Sequence, residues 1–349
     1  TGIRGYLKDA SSTDVVVHNG VIKTSHFECG DLWRVDPFTL DTLGRSDWAG
    51  RFPAEGVSAH PQLDERTGEL LFFNYGLDAP YMHYGVLDPH DNLVHYIDVP
   101  LPGPRLPHDM TFTTNYAIVN DLPMVWDEAF MAKGAYMPRF DRELPTRLGV
   151  IPRRGRTEDI RWFEFDPTYV LHWTNAWEDG EEIVVEGFFQ HDPMPQIDKS
   201  ASFYERMSRF ISLDGFQSRL HRWRMNLVTG ATSEESLTDT ISEFGMMNAL
   251  RAGQQHRYTY AALGEPGRFL FNGLVKHDTL TGEEDALRFP PGVFGSEAAV
   301  APKTGAARAM AKPAGASSLG ASPAEDDAYL VTLTIDAEHD RSECWVLDA

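Results

Sequence analysis

Three of the thirteen histidines sit where a metal ion could be held. His60 lies in VSAHPQLD, His108 in LPHDMTF and His172 in YVLHWTNAWEDG, each at the edge of a strand-like run beside a turn-forming or aromatic residue. They are 48 and 64 residues apart, too far for a zinc finger or an HExxH helix, whose ligands share one local element. Such spacing suits a fold that sends side chains from separate strands to a common axis. A set of neutral imidazoles without a thiolate suits iron, zinc, copper or nickel, and spacing does not choose among them. The remaining histidines, His18, His90 and His339 among them, lie in turns or on polar strand faces and read as structural.

Histidines that bind metals usually donate their outer N–H to a carboxylate, which fixes the tautomer and aims the ring. Glu28 in SHFECG, Glu243 in ISEFGMM and Glu297 in VFGSEAAV are flanked by small or apolar residues, where a solvated glutamate is unexpected. They are the candidates for that role.

The elements that must carry these residues are strands. Runs such as TDVVVHNGVIKT, GELLFFNYG, EEIVVEGFF and DAYLVTLTI alternate or are β-branched, and helical periodicity is scarce. Between them one kind of turn recurs: VDPFTLDTLG, LDERTGEL, LDPHDNLV, MNLVTGAT, HDTLTGEE and IDAEHDRS. An Asp or Asn caps such a turn and Gly supplies the positive φ. A strand–turn–strand unit repeated with insertions is what the blades of a β-propeller provide, and a β-sandwich is the alternative. In a propeller the innermost strand of each blade lines a central channel, which accounts for the histidine spacing. A chain of 349 residues is compatible with one such domain. Three stretches depart from the pattern. Residues 200–222 carry Phe203, Met207, Phe210 and Ile211 at helical intervals, predicting a helix across the β body. Residues 303–324 are rich in Ala, Gly, Ser and Pro and predict a flexible surface loop. Residues 124–140, MVWDEAFMAKGAYMPRF, are rich in Met and aromatics. They form either an apolar rim at a tunnel mouth, open to a membrane-dissolved substrate, or a loop packed on the body.

The bulk properties narrow the function. A net charge of −21 spread along the chain repels phosphate backbones and argues against nucleic acid as a partner. Two cysteines, Cys29 and Cys344, form neither a disulfide framework nor a thiolate zinc site. A reducing cytoplasmic setting is expected, with peripheral membrane contact through 124–140 and no obligate protein partner. The sequence shows neither a membrane-spanning apolar run nor a secretory signal pattern.

The segments AHPQLDERTGEL, HDMTFTTNYAIVNDLP and HWTNAWEDGEEIVVEG, the later SEFG and GSE, and AEDDAYLVT occur in an order that resembles the carotenoid cleavage oxygenases. That family also contains lignostilbene dioxygenases, and the resemblance, to members of bacterial type, runs along nearly the whole chain. It implies an all-β, seven-bladed propeller with helical and loop insertions capping one face. It also implies a non-haem Fe(II) on the propeller axis, held by four histidines, three of them oriented by glutamates. Members add both atoms of O2 across a C=C bond of a polyene or stilbene and release two carbonyl products. Carried over by motif, the ligands are His60, His108 and His172, and the orienting carboxylates are Glu28, Glu243 and Glu297. By the same pattern the fourth histidine is expected beyond Ala349 and a first blade before Thr1, so the single domain over 1–349 reads as truncated at both ends. The lignostilbene-cleaving members carry a Lys where this chain has Phe27, which favours a carotenoid or apocarotenoid over a hydroxystilbene. Phe27, Tyr169, Trp173 and Phe244 are candidates for the lining of the substrate pocket. A stilbene-cleaving enzyme, a catalytically impaired propeller serving as a binding scaffold, and an isomerase are the competing readings.

Overall fold

The computed structural model describes residues 11–134, 136–194, 200–202, 217–266, 268–303 and 324–349. Among the described residues, those of 11–171 and 200–202 fall in one compact unit, and those of 172–194 and 217–349 in a second. Each unit is built from antiparallel up-and-down sheets of the kind that form propeller blades.

In the first unit, β1 (Asp14–His18), β2 (Val21–Ser25), β3 (Trp33–Val35) and β4 (Thr42–Arg45) form one sheet in sequential order. The β1–β2 hairpin turns on Asn19 and Gly20, both at positive φ (50° and 71°), as a tight two-residue turn between right-twisted strands requires. The second sheet comprises β5 (Gln62–Asp64), β6 (Glu69–Tyr75), β7 (Tyr81–Leu87) and β8 (Leu93–Pro100). β9 (Thr111–Phe112) and β10 (Tyr116–Asp121) begin the third. A hairpin of β11 (Met124–Trp126) and β12 (Pro138–Phe140) follows, with a helical turn over Glu128–Met131, and then β13 (Thr146–Pro152) and β14 (Arg161–Phe165) complete the third sheet.

In the second unit, β15 (Trp173–Asp179), β16 (Glu182–Phe189), β17 (Arg219–Asn226) and β18 (Thr232–Ser236) make another four-stranded sheet. The last sheet joins two meanders through one long strand. β19 (Ser242–Met246), β20 (Tyr258–Glu265), β21 (Arg268–Asp278) and β22 (Glu284–Arg288) form the first. β23 (Val293–Pro302), β24 (Ala328–Asp336) and β25 (Arg341–Asp348) form the second, attached where Phe271 of β21 pairs with Gly295.

The recurrent turns behave as their chemistry requires. Asp36 Oδ1 accepts the backbone N–H groups of Phe38 and Thr39 at 2.8 and 2.9 Å, and Asp88 Oδ1 those of His90 and Asn92, both at 2.9 Å. Asn226, Asp278 and Asp336 cap their turns in the same way. Each side chain satisfies amide donors that a tight turn would otherwise leave unpaired. His18 is structural, as its place in the sequence suggested. Its Nε2 lies 3.0 Å from the Gly68 carbonyl, and the buried Lys23 beside it donates to both carboxylate oxygens of Asp91 at 2.7 Å. These contacts tie the first sheet to the second over an apolar layer that includes Leu32, Trp48, Leu70 and Phe72.

Two expectations change. The last four residues of the helix predicted over 200–222, Arg219, Leu220, His221 and Arg222, belong instead to β17. Their alternating pattern and pairing with β16 outweigh the helical spacing upstream. Its other anchors, Phe203, Met207, Phe210 and Ile211, lie outside the described residues, as does nearly all of the loop expected at 303–324. In segment 124–140, Met124, Val125, Trp126, Phe130, Met137 and Phe140 are buried. These side chains pack into their own unit and do not form an exposed rim. No helix among the described residues is long and apolar enough to cross a membrane.

One close approach sets a tight limit on the second sheet. Gly85 on β7 sits opposite Phe72 on β6, and a Cβ at Gly85 would meet the buried Phe72 ring at 2.3 Å. Gly85→Ala should therefore cost about 1–3 kcal/mol through overpacking, measured by urea unfolding. Phe72→Leu in the same chain should restore part of the loss. An unchanged midpoint for the single variant would show that the ring is not held as described.

Candidate metal centre

Each candidate histidine stands just ahead of the first strand of a sheet: His60 before β5, His108 before β9 and His172 before β15. That is the position from which the opening strand of a blade presents a side chain without breaking its ladder. His60 pays for this place with a left-handed backbone, φ 56°, directly before Pro61. A non-glycine residue held there stores roughly 1–3 kcal/mol and needs compensation from its surroundings.

In the first unit, Nε2 of His60 and Nε2 of His108 face each other at 3.2 Å, with ring centroids 4.9 Å apart. The far nitrogen of His60, Nδ1, lies 3.4 Å from Oδ2 of Asp14. Asp14 also accepts the Val15 N–H at 2.6 Å. Burial works to raise the Asp14 pKa, but the hydrogen bond of the His60 ring, its charge whenever that ring is protonated, and the backbone N–H groups of Val15 and His60 outweigh it and hold the carboxyl below its ordinary value. The loop of His108 is fastened separately. Asp109 Oδ1 accepts from Met110 N–H at 2.7 Å and from Gln62 Nε2 at 3.0 Å, and its carbonyl accepts from Asn120 Nδ2 at 2.7 Å. The entries to β5 and β9 are thereby locked to each other. The Phe27 ring lies against His108, centroids 5.8 Å apart.

In the second unit, His172 Nδ1 is 2.6 Å from Oε2 of Glu243, whose side chain is 0 % exposed. A buried carboxylate needs donors, and Glu243 accepts the backbone N–H of Phe244 as well as the His172 ring N–H. The geometry depends on an irregularity in β19, where the pairing with β20 shifts between Glu243 and Met246 and Phe244 takes φ 58°. Gly245 lets the bulge close, since a Cβ there would meet Phe188 and Thr174 at 2.4 Å. The bulge aims Phe244 onto His172, centroids 4.7 Å apart.

The other candidates separate. Glu28 is half-buried beside a cavity of about 460 Å³ within the first unit, which Tyr75, Tyr81, His83, Trp126 and Glu55 also line. Burial pushes its carboxyl up to about 6 and the thiol of the adjacent Cys29 up to about 12, which leaves that thiol protonated. Glu297 is exposed on β23, beside a register shift between Gly295 and Ala298. Trp173 packs edge-on against the buried Trp223, centroids 5.2 Å apart. Tyr169 is buried in the first unit. Phe27 and Phe244 are in ring contact with candidate ligands. Asp14 escaped the sequence reading because an Asp at the head of TDVVVH looks like an ordinary solvated strand entry.

The donor chemistry fits a divalent transition ion. For His60 and His172 the outer Nδ1 is engaged by a carboxylate, so each neutral ring keeps its lone pair on Nε2, the atom that coordinates. Imidazole donors suit iron among other first-row metals.

Comparison with known proteins places the chain in context. Residues 2–349 match the family described as RPE65: Retinal pigment epithelial membrane protein. A carotenoid 9,10(9',10')-cleavage dioxygenase 1 of Phaseolus vulgaris is 29% identical over 339 residues, which cover 93% of this chain and 56% of that protein. The chain thus spans little more than half the length of that relative. An isoeugenol monooxygenase of Pseudomonas nitroreducens is 27% identical over all of this chain and 71% of its own length. Among solved structures, a lignostilbene dioxygenase of Pseudomonas brassicacearum superposes with a TM-score of 0.80 at 27% identity, covering 97% of this chain and 69% of that one. Cobalt-substituted ACO of Synechocystis shares the fold, with a TM-score of 0.80 at 22% identity, covering 99% and 71%.

Two measurements check the local chemistry. Glu243→Gln removes the charge that holds His172, and losses of about 10–100-fold in divalent-ion affinity are typical of such changes; calorimetric titration with Zn²⁺ should show a loss of that size. Carbon-13 NMR of labelled glutamates should show a midpoint near 6 that disappears in Glu28→Gln. Desolvation favours the neutral carboxyl, so the midpoint must lie above the ordinary value of 4.5, and one at or below it would contradict the burial of Glu28.

Proposed function

Because this chain belongs to the RPE65/carotenoid cleavage oxygenase family, we propose that it takes part in the oxidative cleavage of a C=C bond. The substrate on this reading is a carotenoid or apocarotenoid, and the products are two carbonyl compounds. The observation that carries the reading is the orientation of the candidate ligands: Nε2 of His60 and Nε2 of His108 are 3.2 Å apart, and Glu243 fixes the outer nitrogen of His172. On this reading, as the family resemblance implies, His60, His108 and His172 would be ligands of one ferrous ion in a seven-bladed propeller. Bound there, iron supplies the activation of O2.

The chain's own residues have the remaining tasks. Three neutral imidazoles leave the ion its full charge, which favours the ferrous state. Asp14 and Glu243 keep the ring N–H groups outward and the lone pairs inward. Phe27 and Phe244 place apolar rings against His108 and His172, which keeps bulk water from each and offers a surface to an apolar polyene. No general base is needed.

The cavity supports a second reading. Glu28, Glu55 and His83 stand among the rings of Tyr75, Tyr81, Trp126 and Tyr136, and polar groups in an aromatic wall suit a phenolic stilbene better than a hydrocarbon chain. On either reading, protein loaded anaerobically with Fe(II) and then given O2 should consume one of the two substrate classes. Label from ¹⁸O2 should appear in the carbonyl products. Loss of polyene absorbance supports the first class, and cleavage confined to hydroxystilbenes the second. His172→Ala should abolish turnover and reduce iron content, while iron-loaded protein that turns over neither class would overturn the proposal.

A further inference from the structure

Asp14 is a short acidic side chain at the head of β1, far in sequence from the histidine it meets. Its carboxylate is used on two sides. Oδ1 accepts the Val15 N–H at 2.6 Å, and Oδ2 faces Nδ1 of His60 at 3.4 Å. The His60 backbone N–H also bonds to this carboxylate, so one group steadies both the left-handed backbone of His60 and the ring it carries. We infer that Asp14 is a positioning residue for His60, fixing its tautomer so that Nε2 presents a lone pair to a metal ion. Glu28, the carboxylate that the sequence singled out in this unit, instead lines the cavity.

The neighbouring contact adds a consequence. Two imidazole nitrogens 3.2 Å apart share a single proton, since two lone pairs or two N–H groups would repel each other. With Nδ1–H of His60 directed to Asp14, His60 is the acceptor of that contact and His108 the donor. In metal-free protein His60 therefore carries its proton on Nδ1 and His108 on Nε2. For His108 to offer Nε2 to a metal its proton would have to sit on Nδ1 instead, while His60 is already in its binding form.

The inference rests on the metal-site reading above, and cobalt(II) tests both separately. Wild-type protein should take up cobalt with visible d–d bands, and failure to do so would overturn the metal site and this role with it. Asp14→Ala should weaken cobalt binding by about 10–100-fold, the range typical for loss of a ligand's outer partner, and should shift the bands. Asp14→Asn keeps an acceptor for the two backbone N–H groups but loses the charge; it should bind more tightly than the Ala variant and more weakly than wild type. A purely structural role predicts an Asn variant with wild-type affinity and bands, and that result would overturn the inference. Long-range ¹H–¹⁵N NMR of histidine-labelled, metal-free wild-type protein needs no variant. It should show His60 protonated on Nδ1, and protonation on Nε2 would overturn the inference equally.

Discussion

Each of the His60 and His172 rings is set by a carboxylate on the side away from its Nε2. A neutral imidazole has one proton and two nitrogens, so whichever nitrogen donates outward leaves the other free to bind a metal. Glu243 makes that choice for His172, and Asp14 faces the corresponding atom of His60. The two carboxylates reach their rings differently. Glu243 is fully buried and positioned by a bulge in β19, whereas Asp14 is partly exposed and positioned by the start of β1. In both cases the acid comes from a sheet other than the one whose first strand follows the histidine.

This arrangement explains why the fold consists of short, tightly turned sheets. A strand that opens a sheet can leave one residue before it unpaired, and that residue's side chain is free to be aimed. His60, His108 and His172 all occupy such places. The backbone irregularities gather there too: His60 and Phe244 have positive φ, and β15 and β19 each carry a register shift at or near the site residues. Strain of this kind persists where the surroundings over-determine the conformation. Asp109, held by Gln62 and Asn120, is an example of such surroundings.

Much of this was legible in the sequence because it follows from local chemistry. The Asp and Asn turns declared the hairpins, and the capping bonds of Asp36, Asp88 and Asp278 are the reason. The histidines stood out through their contexts at strand entries. Glu243 was legible because SEFG places a charge among residues that a core would accept. Glu297 stands among similar small and apolar neighbours, at an exposed position of β23 beside an irregular register. Trp173 drew attention because it adjoins His172; its ring packs against Trp223, a contact with no trace in its sequence neighbourhood. Asp14 was not legible at all: its role comes from a contact with His60, and one sequence without that pairing contains no trace of it. Residues 219–222 read as the end of a helix because helical spacing just upstream carried the pattern past its boundary.

The account's central claim is that imidazole nitrogens, and no thiolate, bind the metal. X-ray absorption of zinc-loaded protein tests it most directly. The account predicts a first shell dominated by nitrogen at about 2.0–2.1 Å, with the outer-shell scattering of histidine rings. A sulfur shell at about 2.3 Å, or an all-oxygen shell without ring scattering, would contradict it.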